Sequence, residues 1–593
     1  MAASIKDAMR KAFATQSEVL STKATAPPKT IPKETKRVQV TLGSVETHHP
    51  NKPARERSAR IHLVSDLDKI LAGIKDRAPN RIATAAAPPP ASTDVQPTLA
   101  VKKTAPPDCV IRVKKGIKPT CLIKDEEIQQ SYCAPAKSGI KEQAHAGSYR
   151  DERDVVIGLD FGTSSVKVII ADRALTKAFA VPFSSAEGIG RYLLPSRLFE
   201  TEDTFMLKEG DTIYRDLKLS LMADPENIEA QVRVTACLAL VIRPARGWLL
   251  SEHRETYLQT NIQWKLVVGL PAANHLQSEH QTPFKKVAQA AWLVAAVNKL
   301  ELIHQSVDKA LLRAEQLIAG ALPSRPVEEA EISIVPELAA QIYGYVASNR
   351  FNRNAPNLYL MVDVGAGTVD SSLFRVEHSA GGKKKFTFFT SQVQPNGVMN
   401  LHRARIQWWE KVIAEFAPSM APDTSCLQSS KRSTDRLTSI PGSFKDYFSG
   451  IKVDHREDVP DPDQAFFSKL LVQVRGNTLW KTWKDKLLTR NDLSGVPMFL
   501  CGGGTRMQYY RDIEQEISNL PGYTWLKTEA RPLEVPKSLI APGLPQREYD
   551  RLSVAFGLSF LEVSSVLKAT PIPQITPTEV TNWRDNYTDK DQC

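Results

Sequence analysis

Val155-Val156-Ile157-Gly158-Leu159-Asp160-Phe161-Gly162-Thr163-Ser164-Ser165 and Leu358-Tyr359-Leu360-Met361-Val362-Asp363-Val364-Gly365-Ala366-Gly367-Thr368-Val369-Asp370 say nearly the same thing twice. Each is an apolar run ending in Asp-x-Gly, followed by small or hydroxylated residues and a second apolar stretch. That pattern predicts a strand, a tight turn and a second strand. A turn of Gly, Ser and Thr lets backbone amides approach a phosphate closely, and an Asp ending the entering strand can hold the water shell of a magnesium ion. Two such hairpins facing each other would form a phosphate clamp.

The chain has 593 residues, enough for about two to four domains with cores of their own. Its formal charge of +11 is unevenly placed. Residues 1–150 hold 26 Lys and Arg against 14 Asp and Glu, so the rest of the chain is close to neutral. No run approaches the ~18 apolar residues of a membrane span, and the opening MAASIKDAMRKAFATQSEVL lacks the apolar core of a signal peptide. A cytoplasmic protein is expected. Seven scattered cysteines, none in Cys-x-x-Cys spacing, fit reduced thiols.

Residues 1–150 are rich in Pro, Ala, Thr and Lys and lack the apolar density that orders a backbone, which predicts a disordered basic arm. Within it, Ile61, Val64, Leu67, Leu71 and Ile74 recur at helical spacing across 58–78, and 5–13 is a second short helix candidate. From Asp154 strands and helices alternate, an α/β texture. Strands are expected at 155–160, 166–171, 264–270, 331–335, 358–363, 371–376 and 498–501, and helices at 283–299, 336–347, 397–415, 506–518 and 550–567. The polar stretch 417–462 reads as a loop excursion, and 568–593 as a tail.

Three further segments add chemistry. Met498-Phe499-Leu500-Cys501-Gly502-Gly503-Gly504-Thr505-Arg506 is a strand, a triple glycine and a helix start, where backbone can lie flat against an adenine or ribose. Ile334-Val335-Pro336-Glu337-Leu338-Ala339-Ala340 places a carboxylate at a strand-to-helix junction. Asp550-Arg551-Leu552-Ser553-Val554-Ala555-Phe556-Gly557 is a helix punctuated by small residues that permit close crossing.

In this order the set resembles the actin, sugar kinase and seventy-kilodalton heat-shock ATPase superfamily, and within it the heat shock protein 70 (DnaK-type) nucleotide-binding domain. Gly502 to Arg506 parallels that family's Gly-Gly-Ser-Thr-Arg turn, Val267-Val268-Gly269-Leu270-Pro271-Ala272 its Val-Pro-Ala strand end, and Leu194-Pro195-Ser196 its Thr-Pro-Ser turn. The resemblance implies a two-lobed actin-like ATPase fold of duplicated ribonuclease H-like domains, with lobes at 151–350 and 351–567. It implies ATP or ADP with Mg2+, and room for K+. Asp160 and Asp363 would hold the metal through water, and Gly162, Thr163, Ser164, Gly365, Gly367 and Thr368 would wrap the β and γ phosphates. Gly502, Gly503, Gly504, Thr505 and Arg506 would receive the adenosine. Glu337 would order the metal shell or the attacking water, and Asp370 would sit behind the γ-phosphate. Lys218, in Arg215-Asp216-Leu217-Lys218, matches the lysine that reaches the γ-phosphate in DnaK-type proteins; Lys167, seven residues after Asp160, matches the lysine of actin-like members.

Ala366 replaces the middle glycine of the DnaK-type turn, and Pro336-Glu337-Leu338-Ala339 lacks the Asn and Thr of the family's Asn-Glu-Pro-Thr segment. Only 36 residues follow Gly557, so a client-binding domain is not expected. The implied activity is ATP hydrolysis driving a switch in lobe closure. A filament-forming actin-like ATPase, a small-molecule kinase and an ATP sensor without turnover are the rivals.

Cys109, Cys121, Cys133 and His145 recur every twelve residues, which raises zinc, although structural zinc sites use Cys pairs two to four residues apart. Trp408 and Trp409 read as packing residues, and Cys501 as a small buried one whose alkylation would disturb the glycine turn. The basic arm suits either a tether that recruits protein partners or a phosphate-binding segment for nucleic acid; regular apolar spacing at 58–78 favours the tether. Removing residues 1–150 should therefore abolish partner co-purification. A steeply salt-dependent nucleic-acid affinity lost with the same residues would instead identify a phosphate-binding arm.

Overall fold

Burial along the two quoted strands sets the architecture. In Asp151–Phe161 the side chains of Val155, Ile157, Leu159 and Phe161 join one apolar cluster, while Val156, on the alternate parity, joins another. Leu358–Val364 repeats this: Leu358, Leu360, Val362 and Val364 pack one way, Tyr359 and Met361 the other. Both faces of each strand are covered, as expected of strands central to a sheet with helices against it.

This computed structural model describes residues 109–119, 151–296, 302–321, 330–418, 440–519 and 522–571. The fold is mixed α/β, with two six-strand runs of mixed direction and two small sheets. The first run is, in spatial order, Glu331–Pro336, Thr260–Leu270, Asp151–Phe161, Ser165–Asp172, Lys177–Ala180 and Leu539–Ile540. The second is Lys527–Ala530, Ser494–Cys501, Leu358–Val364, Val369–His378, Lys384–Gln394 and Val563–Lys568. Their pairings have the same senses in the same order: parallel, parallel, antiparallel, antiparallel, parallel. The sequence repeat is thus one visible part of a repeated topology.

The outer face of the first run is covered by the helices Ile228–Glu252, Ser278–Ala296 and His304–Ile318. Between the inner faces lies a shared cluster containing Val156, Val267, Met361, Phe374, Phe499 and Leu558. The short helices Glu337–Gln341 and Tyr343–Val346 and the helix Ser553–Phe560 contribute to it. Contact there is intimate: a Cβ on Gly557 would lie 1.8 Å from the carbonyl oxygen of Ala340.

All seven expected strands are present, most extended by a few residues. Ile228–Glu252, outside the expected helices, is a helix 25 residues long that holds the core despite the Pro244 within it. Among the described residues it is the one helix long and apolar enough to cross a membrane, and 72% of its apolar window is buried in the fold. The helix expected over 550–567 ends at Phe560, and Val563–Lys568 instead pairs with Lys384–Phe388 as an edge strand. Its two valines separated by serines favour an extended backbone, and an open sheet edge completes the choice.

The stretch read as a polar loop, 417–462, carries the strand Phe448–His455, and the arm carries Cys109–Pro119, which pairs with it antiparallel. Ile111 packs with Trp408, Trp409 and Phe448, so this end of the arm is anchored by burial. Cys109 is a buried strand residue; Cys121, Cys133, His145 and the helix candidates at 5–13 and 58–78 lie outside the described residues.

Gly557→Ala should lower stability by about 2–3 kcal/mol, read as a lower urea midpoint, because backbone must move to admit the methyl. Gly476, with nothing within 4 Å of its Cβ position inside Val472–Trp480, provides the contrast. Gly476→Ala should be neutral or stabilising by up to ~1 kcal/mol.

Candidate functional site

Side-chain alternation puts Asp160 on the parity of Val156, and Asp363 on the parity of Tyr359 and Met361, so both carboxylates face the space between the sheets. The two hairpins close identically. Gly162 N donates to Ser165 O at 3.2 Å, and Gly365 N donates to Thr368 O at 2.9 Å. That leaves two-residue loops, Thr163-Ser164 and Ala366-Gly367, whose own amides donate no hydrogen bond among the described residues. The loops touch: a Cβ on Gly367 would lie 3.0 Å from Thr163 Cγ2.

Each turn is braced from behind. Ser196 N donates to Ser164 O at 3.0 Å, and Ser196 Oγ to Gly162 O at 2.5 Å, so Leu194-Pro195-Ser196 caps the first turn. Met399 N donates to Ala366 O at 2.7 Å and Val398 N to Gly365 O at 3.1 Å, so the start of the helix Val398–Phe416 caps the second. The third turn closes over Asp363. Gly502 has φ +88, and a Cβ there would meet Asp363 Oδ1 at 2.1 Å, so this position tolerates only glycine.

These turns line a cleft of about 440 Å³, inside the usual range for small-molecule sites. Asp160, Gly162, Thr163, Ser164, Lys167, Lys218, Glu337, Asp363, Gly365, Thr368, Asp370, Gly502, Gly503, Gly504 and Arg506 all reach it. Gly367 and Thr505 do not. Gly367 is packed against Thr163, and the Thr505 hydroxyl donates to Gly502 O at 2.8 Å, holding the turn rather than facing the cleft.

Both candidate lysines reach the cleft. Register pairs Asp160 with Lys167, whose Nζ lies 3.0 Å from Asp160 Oδ2. Lys218, buried on the short helix Leu217–Ala223, places Nζ 2.5 Å from Glu337 Oε1. In the second hairpin the same register pairs Asp363 with Asp370. Where the first hairpin has a carboxylate and an ammonium, the second has two carboxylates.

Burial governs the titration of both. Burial, then the neighbouring charges of Asp160 and Glu337, pushes the Asp363 carboxyl up to about 6. Asp370 is raised well above the ordinary range by burial and by Glu337 and Asp363; the Ala272 amide donates to its Oδ2 at 3.4 Å, while its Oδ1 is buried without a partner. Glu337 is also raised, by burial, although Lys218 opposes this. Burial pushes the Cys501 thiol far up and leaves it 1% exposed, as expected of a packing residue.

Residues missed from sequence complete the site. Gln341, one helical turn after Glu337, donates from Nε2 to Asp363 Oδ2 at 3.1 Å; its i,i+4 spacing from Glu337 was the available clue. Asp550 holds Arg506 through Oδ1 at 2.6 Å and Oδ2 at 3.2 Å. Ile440 reaches the cleft from a segment fixed by buried Arg405, which donates to Pro441 O and Gly442 O and pairs with Asp463 at 2.6 Å. Arg551 lines the cleft beside Gly503.

Compared with known proteins, the chain matches no family model and no curated protein sequence.

An acid whose folded pKa is raised binds its proton more readily in the fold than in the unfolded chain. Stability therefore falls as pH rises from about 4 through about 6, and the full penalty is present above that window. Asp363→Asn should stabilise the ligand-free protein by roughly 1–3 kcal/mol at pH 7.5 and by much less at pH 4.5, measured by urea unfolding.

Proposed function

We propose that the chain is an ATP-binding and ATP-hydrolysing molecular switch of the DnaK type, built on a two-lobed actin-like fold. The observation that carries this reading is the repeated topology: two sheets with one order of strand senses present the same two-residue turn to one cleft. A third, glycine-only turn closes that cleft over Asp363.

The residues present suit magnesium. Asp160 and Asp363 offer hard oxygen donors, and the buried, unpartnered Asp370 Oδ1 and Gln341 Oε1 are acceptors for the waters that magnesium retains. Magnesium, when bound, would supply positive charge that neutralises the phosphates. The free amides of Thr163, Ser164 and Ala366 cradle the β and γ phosphates. Lys218 neutralises the γ-phosphate, and Glu337, released from it, orients the attacking water. Positioning and charge neutralisation suffice for this chemistry, without a covalent intermediate. Asp370 holds the back of the site, where K+ is a further candidate ligand. Closure follows from nucleotide binding the closed form more tightly, and the output passes to protein partners recruited by the arm.

Purified protein should release phosphate from MgATP without an added acceptor. Asp160→Asn and Asp363→Asn should each slow release at least ~100-fold, and Lys218→Met should lower kcat more than it raises KM. Unchanged ATP binding and hydrolysis in both Asp variants would remove this site assignment. Binding without release would identify an ATP sensor, and nucleotide-dependent light scattering a filament former.

A further inference from the structure

We propose that Arg551 is a nucleotide-binding residue, whose guanidinium takes a phosphate oxygen at the nucleoside end of the phosphate chain. The inference rests on the nucleotide reading above and deepens it.

The cleft holds four cationic side chains, and three are already matched. Lys167 is paired with Asp160, Lys218 with Glu337, and Arg506 with Asp550. Arg551 makes no hydrogen bond or ion pair among the described residues. Its sequence neighbour Asp550 spends both carboxylate oxygens on Arg506, so the nearest counter-charge is taken.

Position narrows the ligand. Arg551 ends the turn Gln546–Arg551, just before the helix Ser553–Phe560. A Cβ on Gly503 would lie 3.0 Å from its Cζ and 3.1 Å from Nη1, so the guanidinium lies directly beneath the glycine turn. It also lies within the fields of Asp160 and Asp363. An anion on Arg551 would thus sit between the turn that receives the nucleoside and the two turns that receive the terminal phosphates. A guanidinium presents a planar fork of donors that fits two phosphate oxygens, whereas neutral groups of a nucleoside leave its charge unmatched. Burial works against the charged form there; Asp550, Asp160 and Asp363 oppose that without forming an ion pair with it, and an anionic ligand in contact would oppose it directly.

The test uses the full chain with MgADP, adenosine and inorganic pyrophosphate. Arg551→Met should weaken MgADP about 10- to 100-fold and leave adenosine within about twofold, with Arg551→Lys in between. The ligand-free melting temperature should hold or rise in Arg551→Met, because an unmatched buried charge has been removed. Millimolar pyrophosphate should raise the melting temperature of the wild type and not of Arg551→Met. MgADP affinity unchanged in Arg551→Met, or an equal loss for MgADP and adenosine with a lower ligand-free melting temperature, would overturn the proposal. If the wild type binds no MgADP, the nucleotide reading fails; an Arg551-dependent shift with pyrophosphate would then still establish an anion site, and its absence would end both.

Discussion

A two-residue loop between antiparallel strands leaves the register no freedom, and both hairpins have one. Once Gly162 bonds to Ser165 and Gly365 to Thr368, the residues opposite each other are fixed: Asp160 with Lys167, Asp363 with Asp370. Opposed residues of an antiparallel pair share a face, and alternation along each strand decides which face it is. A one-residue slip would send both carboxylates into the outer apolar clusters and bring Leu159 or Val362 into the cleft. The chemistry of the site is therefore held by the same apolar alternation that builds the sheets.

Glycine placement does the remaining work by controlling how closely backbone can approach. Gly502 lets the third turn lie against Asp363, and Gly269 leaves room for the Glu337 side chain, which a Cβ would meet at 2.7 Å. The braces behind the turns, Ser196 on one side and the amides of Val398 and Met399 on the other, satisfy the carbonyls that tight loops leave pointing outward. What stays unbonded is a set of loop amides facing the cleft. Rigidly held loop amides of this kind are the donors from which anion sites are built.

How much of this was legible in sequence depended on whether a residue's role is local. The Asp-x-Gly turns, the triple glycine and Glu337 at its strand end are local patterns, and they converge on one cleft. The pairing of the sheets was half legible, because only the first hairpin of each repeat has a sequence echo; the equivalence of Thr260–Leu270 with Ser494–Cys501 lies in hydrogen bonding alone. The strand Cys109–Pro119 was hidden for the opposite reason, since its ladder partner lies over three hundred residues away in a stretch that reads as polar loop. Gln341 was overlooked although its spacing offered the clue. Lys167 and Lys218 both reach that cleft, one as a cross-strand neighbour of Asp160 and the other from a short helix.

The arrangement of charge explains why such a site is costly to keep without a ligand. Three ion pairs are satisfied internally, but Asp363 and Asp370 stand opposite each other with no cation between them, and Arg551 stands under the glycine turn with no anion. Those groups form no ion pair with one another: the carboxylates close one strand pair, and Arg551 ends the turn Gln546–Arg551 beside Gly503. In a folded chain selected for stability alone, apolar side chains or closed pairs would fill these positions. On the proposed reading, a metal-bound polyphosphate would meet both, with an anionic end at Arg551 and its cation at Asp160 and Asp363, in front of Asp370. The residual charges of the cleft thus bear on the proposed ligand more directly than its matched ones do.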